Sequence, residues 1–73
     1  MKITKQFCKE NLRLNRNTTP GSTLRSCLRV PQEIEWSEDL SNRLYSNLEK
    51  WGWIEDRGMY ILTREGFGEI PFV

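Results

Sequence analysis

Arg43 and Asn47 stand four residues apart, so a helix through them carries a guanidinium and a carboxamide on one face, one turn apart. Those two groups suit base edges: arginine matches the acceptors of guanine, and asparagine matches the acceptor and donor of adenine. Lys50 and Arg57 add cations of the kind that contact phosphate oxygens. Carboxylates crowd the same stretch, with Glu38, Asp39 and Glu49 on the helix and Glu55 and Asp56 directly before Arg57. Negative side chains close to phosphates oppose the electrostatic term that supplies much of nucleic-acid affinity. They favour a protein partner of complementary charge, for which fast and specific association follows from opposite fields.

Other chemistries are missing from the sequence. There is no histidine to serve as a base, no glycine-rich phosphate loop and no cluster with metal-ligand spacing. The neighbouring carboxylates Glu33 and Glu35, and Glu38 and Asp39, fall in a turn and at a helix start, where solvation and the helix dipole account for them. No enzymatic activity, cofactor or metal is expected. Cys8 and Cys27 are too far apart for a CxxC site. One disulfide between them is conceivable, but two buried or half-buried thiols in a cytosolic protein are the preferred reading. No apolar run approaches a membrane span and no signal peptide is visible, so a cytoplasmic protein is expected.

The elements that must position these residues are clearest in the second half. Leu40, Leu44, Leu48 and Trp51 recur at helical spacing. Ser37 can cap the first turn, Glu38 and Asp39 suit the positive end of the dipole, Lys50 suits the negative end, and Gly52 can stop the helix. A helix is expected from about Ser37 to Trp51. Beyond it, Trp53-Ile54-Glu55 and Met59-Tyr60-Ile61-Leu62 flank the turn Asp56-Arg57-Gly58, which is a hairpin pattern. Thr63 can cap a short last helix, weakened by Gly66 and Gly68 and closed by Pro71.

The first half is plainer. Residues 4 to 12 fit a helix with Ile3, Phe7, Cys8 and Leu12 on one side. Residues 15 to 22 form a loop by composition, expected to be flexible. Residues 23 to 30 admit two readings: a helix with Leu24, Cys27 and Leu28 on one face, or a strand whose alternation Ser26 breaks. The helix, ending before Pro31, is preferred. With 73 residues the chain has room for one domain and one small core, anchored by Trp36, Trp51 and Trp53 among eight aromatics.

Charge is split along the chain. Residues 1 to 30 carry Lys2, Lys5, Lys9, Arg13, Arg16, Arg25 and Arg29 against Glu10 alone, a balance of +6, and residues 31 to 73 carry −5. Such asymmetry suggests an interaction surface. Lys5, Lys9, Arg13 and Arg16 are the phosphate contacts a nucleic-acid reading would need, and a solvated face is the plainer account of them.

The string Leu48-Glu49-Lys50-Trp51-Gly52-Trp53-Ile54, followed by Gly58-Met59-Tyr60-Ile61-Leu62-Thr63 and Gly66, resembles the winged-helix pattern over roughly residues 37 to 70. In that pattern a recognition helix ends in glycine, and a hairpin wing and a Y-x-L-T-x-x-G run follow. The resemblance implies a small α+β domain, 1 to 73, of three to four short helices with a hairpin wing. In size and general character the chain also resembles the small phage-encoded regulators of host RNA polymerase, of the Xanthomonas phage kind. That likeness implies a monomeric transcription regulator that binds the polymerase, inhibiting initiation or promoting read-through of terminators. Contact residues under this reading are Arg25, Arg29, Trp53, Glu55 and Asp56. The alternative is a DNA-binding winged helix, repressor- or excisionase-like, using Arg43, Asn47, Lys50 and Arg57. A plain helix packed on a hairpin, with no recognition role, is the bland alternative to both.

Overall fold

The computed structural model describes residues 2–73. Eight elements follow one another: α1 (Lys5–Asn11), β1 (Arg13–Leu14), α2 (Leu24–Cys27), β2 (Leu28–Arg29), α3 (Glu38–Lys50), β3 (Ile54–Asp56), β4 (Tyr60–Leu62) and α4 (Arg64–Glu69). The chain is therefore α+β, with two antiparallel two-stranded ribbons among the described residues.

The helices start where hydroxyl side chains can hold free amides. Thr4, Ser37 and Thr63 each accept from the backbone N–H three residues on, at 3.0, 3.1 and 3.1 Å. The longest helix, α3, buries Leu40, Leu44 and Leu48, as the spacing predicts. It stops at Gly52, whose φ of +80° lies in the left-handed region that glycine adopts at no steric cost.

The hairpin follows directly. Ile54 faces Leu62, Glu55 faces Ile61 and Asp56 faces Tyr60. Ile54 and Leu62 are buried; β3 packs against α3 and β4 against α2, so this face of the hairpin joins the leucine stripe of the long helix in one core. Trp53, Leu12, Leu14, Cys8, Cys27 and Ile70 complete it.

The 23–30 segment resolves its two readings by using both. A single helical turn ends at Cys27 and not before Pro31, and Leu28–Arg29 then pair as strand β2 with β1, Arg13 opposite Arg29 and Leu14 opposite Leu28. At the point where the helix ends, the Asn15 amide donates to the Cys27 carbonyl at 3.0 Å and draws the chain alongside β1; Leu14 itself bonds on its other side. Its amide donates to Pro71 and its carbonyl accepts from Val73, in a parallel bridge to Phe72. Loop 15–22 is a loop, and it contributes buried Thr18 to the interior. Its last residues meet the hairpin: Gly21 donates to the Leu62 carbonyl at 2.7 Å, Leu62 donates to that of Ser22 at 2.8 Å, and Thr23 bridges Ile61.

Candidate functional site

Of the residues suited to base edges and phosphates, most spend their polar groups within the chain. The Asn47 amide donates to the Ile3 carbonyl at 3.2 Å, tying α3 to the segment before α1. Arg43 lies 3.7 Å from the Asp39 carboxylate one turn earlier. Arg57 is held at 3.2 Å by Glu55, so the hairpin presents an ion pair where a DNA-binding wing would present a cation. Lys50 is exposed in the last turn of α3. Three cations of the basic first half also have partners within the chain. Lys9 pairs with Glu69 at 3.2 Å, Lys5 stands 5.9 Å over the Trp51 ring, and Arg13 donates to the carbonyls of Lys9 and Leu12.

The residues expected at a protein contact are scattered. Trp53 is corrected outright: it is 1% exposed, its ring 5.1 Å from that of Trp51, and a side chain so enclosed has no area to offer a partner. Trp36 and Trp51 are half-buried, and the Trp36 indole donates to the Pro31 carbonyl. Glu55 and Asp56 are exposed on β3 but point to opposite faces, since neighbouring strand residues alternate. Asp56 shares its face with Tyr60 and accepts from the Gly58 amide at 3.1 Å. Arg25 and Arg29 line different depressions. Arg29 donates to Asn15 and sits with Arg16, Asn17 and Val73 around a shallow polar cleft of about 380 Å³.

Arg25 belongs to the more distinctive feature, an apolar groove of about 410 Å³ walled by Thr23, Leu24, Tyr45, Met59 and Tyr60. Tyr45 from α3 and Tyr60 from β4 stack at 5.5 Å and form its floor. Met59, at the hairpin turn, is 59% exposed beside it. Arg25 is the only charged residue in this lining. The sequence reading missed Tyr45, Met59 and Tyr60 as a group. Two signals pointed there: a methionine in a turn otherwise made of polar residues, and a tyrosine next to Leu44 but off the leucine stripe. Neither reveals that α2 closes the third wall.

Burial pushes both thiols up, Cys8 from the ordinary 9.0 to about 11 and Cys27 in the same direction, so neither is an activated nucleophile. Both are free, as expected. No group of three or more histidine, cysteine, aspartate or glutamate side chains suited to a metal occurs among the described residues, and no helix there is long and apolar enough to cross a membrane. No family model, curated protein or solved structure matches the chain, so its own residues carry the functional reading.

Proposed function

We propose that the chain is a small winged-helix-like regulator of transcription that acts by binding a protein, with bacterial RNA polymerase as the target. Binding, not catalysis, is its mode of action. The observation that carries this reading is the state of the polar side chains on α3 and the hairpin. Asn47, Arg43 and Arg57 are engaged with Ile3, Asp39 and Glu55, while an apolar groove with an exposed methionine opens beside them. The carboxylate beside each arginine lowers the positive potential that a phosphate would meet, and protein contact draws on the apolar groove.

The order of elements supports the winged-helix comparison. The helices α1, α2 and α3 precede the hairpin, with the two-residue strands β1 and β2 between them, and Thr23 joins the edge of the hairpin at Ile61. The connection between α2 and α3 departs from a helix-turn-helix. It spans residues 28–37 and includes β2, where a DNA-binding motif uses a turn of about 3–4 residues. That spacing sets the angle at which a recognition helix enters the major groove, and its loss weighs further against DNA.

The test is capture from bacterial lysate on the tagged chain, with and without nuclease, followed by transcription in vitro from a template with a terminator. Polymerase subunits retained after nuclease, together with altered initiation or read-through, are the expected result. Loss of all captured material on nuclease treatment would overturn the protein reading and restore DNA.

A further inference from the structure

The two-residue strands β1 and β2 set like charges opposite each other. Arg13 pairs with Arg29, so both side chains leave the same face of the ribbon, while Leu14 and Leu28 leave the other face towards the core. Directly opposed like charges cost stability, and no carboxylate offsets them. Arg13 donates to the carbonyls of Lys9 and Leu12, and Arg29 donates to the Asn15 carboxamide. Arg16, two residues past β1, is exposed and has no hydrogen-bond or ion-pair partner within the chain. Among the described residues no carboxylate lies within ion-pair distance of any of the three.

Asn15 is the fixed point of this face. Its side-chain nitrogen donates to the Ser26 carbonyl at 2.8 Å, which leaves its oxygen to accept from Nε of Arg29. With Nε tied down, the two terminal nitrogens of the Arg29 guanidinium are left for a ligand. Arg29, Arg16 and Asn17 line the shallow cleft of about 380 Å³ described above. Val73 is its one apolar wall, and neither an acidic side chain nor an aromatic ring lines it.

We infer that this face binds the phosphate backbone of duplex DNA without reading its bases, Arg16 and Arg29 meeting phosphate oxygens with Arg13 beside them. Guanidinium forks match phosphate oxygens in geometry as well as charge. A polar, positively charged surface has the character of protein–DNA contacts. A protein partner's anchors need apolar walls, which the Tyr60 groove has and this cleft lacks. Single strands are held by stacking bases on aromatic rings. With no ring in the lining, contact is left to charge alone, and phosphate charge is closely spaced along a duplex. A free phosphate ion meets only exposed cations in water, where each pairing is worth little, so the contact depends on several phosphates held at once. This inference goes beyond the protein-binding reading and uses no residue of α3 or the hairpin.

The test titrates a short fluorescent duplex of random sequence with the intact chain across a salt series. Log K should fall linearly with log salt. Arg16→Glu should flatten that slope by about 0.9 and cost about tenfold in affinity at about 50 mM salt. Arg16 bonds to nothing in the chain, so an unchanged thermal transition is expected of this variant. Arg64→Glu makes the same change of charge at an exposed position in α4, and should cost under about threefold. Equal losses in the two variants would reduce the effect to net charge and overturn the inference. In isotope-labelled protein the duplex should shift the amides of residues 13–17 and 28–29, and shifts confined to α3 and the hairpin would overturn it. Three competing probes complete the series. Single-stranded DNA or polyglutamate bound as tightly as the duplex would assign the face to another partner. Inorganic phosphate that shifts the same amides while the duplex does not would make it a site for a free anion. Each of these results would overturn the duplex, and tighter binding of the duplex than of all three supports it.

Discussion

Gly66 and Gly68 lie two residues apart in the same short helix and have opposite reasons to be glycine. A β-carbon on Gly66 would press on the Trp53 carbonyl, meeting its carbon at 2.9 Å and its oxygen closer still, with Leu62 Cδ1 at 3.0 Å. Backbone cannot swing aside as a side-chain tip can, so Gly66→Ala should cost about 2–3 kcal/mol, in the range of overpacked cores. Gly68 has nothing within 4 Å of its would-be β-carbon. Gly68→Ala should stabilise by about 0.5–1 kcal/mol through helix propensity and a less flexible unfolded chain. Urea denaturation of the two variants measures both signs, and equal effects would show that α4 does not pass so close to Trp53. Cys8 provides a second residue-scale expectation. The fold holds its thiol neutral to about pH 11, whereas the unfolded chain ionises it near 9.0. Its contribution is therefore fully present below pH 9 and fades as pH climbs through about 11, a loss on the order of 2–3 kcal/mol. Denaturation midpoints between pH 8 and pH 11 should fall less steeply in Cys8→Ala than in the parent; parallel slopes would mean that this thiol is not shielded from water.

At the scale of elements, Thr63 is the joint between the long helix and the last one. Its hydroxyl donates to the Gly52 carbonyl at 2.6 Å, where α3 has just ended, and accepts from the Gly66 amide at 3.1 Å, where α4 begins. Thr63→Ala removes a cap and strands a carbonyl, and should cost about 2 kcal/mol, while Thr63→Ser keeps both bonds and should cost well under half of that. Thermal unfolding of the pair checks this, and similar losses in both would assign the effect to the methyl group. Thr63 as a cap was readable from the sequence, as were α3 and the hairpin, because several local signals coincide at each. In α3 a capping serine, acidic first turn, leucine stripe and glycine stop agree over one continuous run. The first ribbon was not readable. Arg13–Leu14 and Leu28–Arg29 are strands of two residues, too short to carry a period, and their pairing is decided by burial of Leu14 between Leu28 and the bridge to Phe72. Segment 23–30 fits a helix better than a strand by pattern, and tertiary pairing divides it at Cys27. The groove was hidden for a related reason. Arg25, Tyr45 and Tyr60 come from three elements, and only packing of α2 against β4 brings them together.

At the scale of the whole molecule, the two halves of the charge split touch at an exposed ion pair. The basic first half meets the acidic second half at Lys9 and Glu69, and Arg57 is answered by Glu55 within the hairpin itself. What remains unfavourable to DNA is local: the hairpin turn carries two carboxylates and one guanidinium. Glu55→Lys combined with Asp56→Lys reverses that balance and releases Arg57 from its partner. Non-specific affinity for duplex DNA depends on how many phosphates a protein neutralises, and each added contact steepens the fall of log K with log salt by about 0.9. The double variant should therefore bind duplex more tightly at low salt, with a slope steeper by about 2 than the parent's. It should also lose affinity for a partner that the acidic wing helps to attract. Filter binding across a salt series and polymerase capture read the two effects on the same protein. Tighter DNA binding with weakened capture places the wing's carboxylates in the choice of partner. A DNA slope and a capture level both equal to the parent's would remove the hairpin turn from recognition altogether and leave the groove at Tyr60 as the contact to pursue.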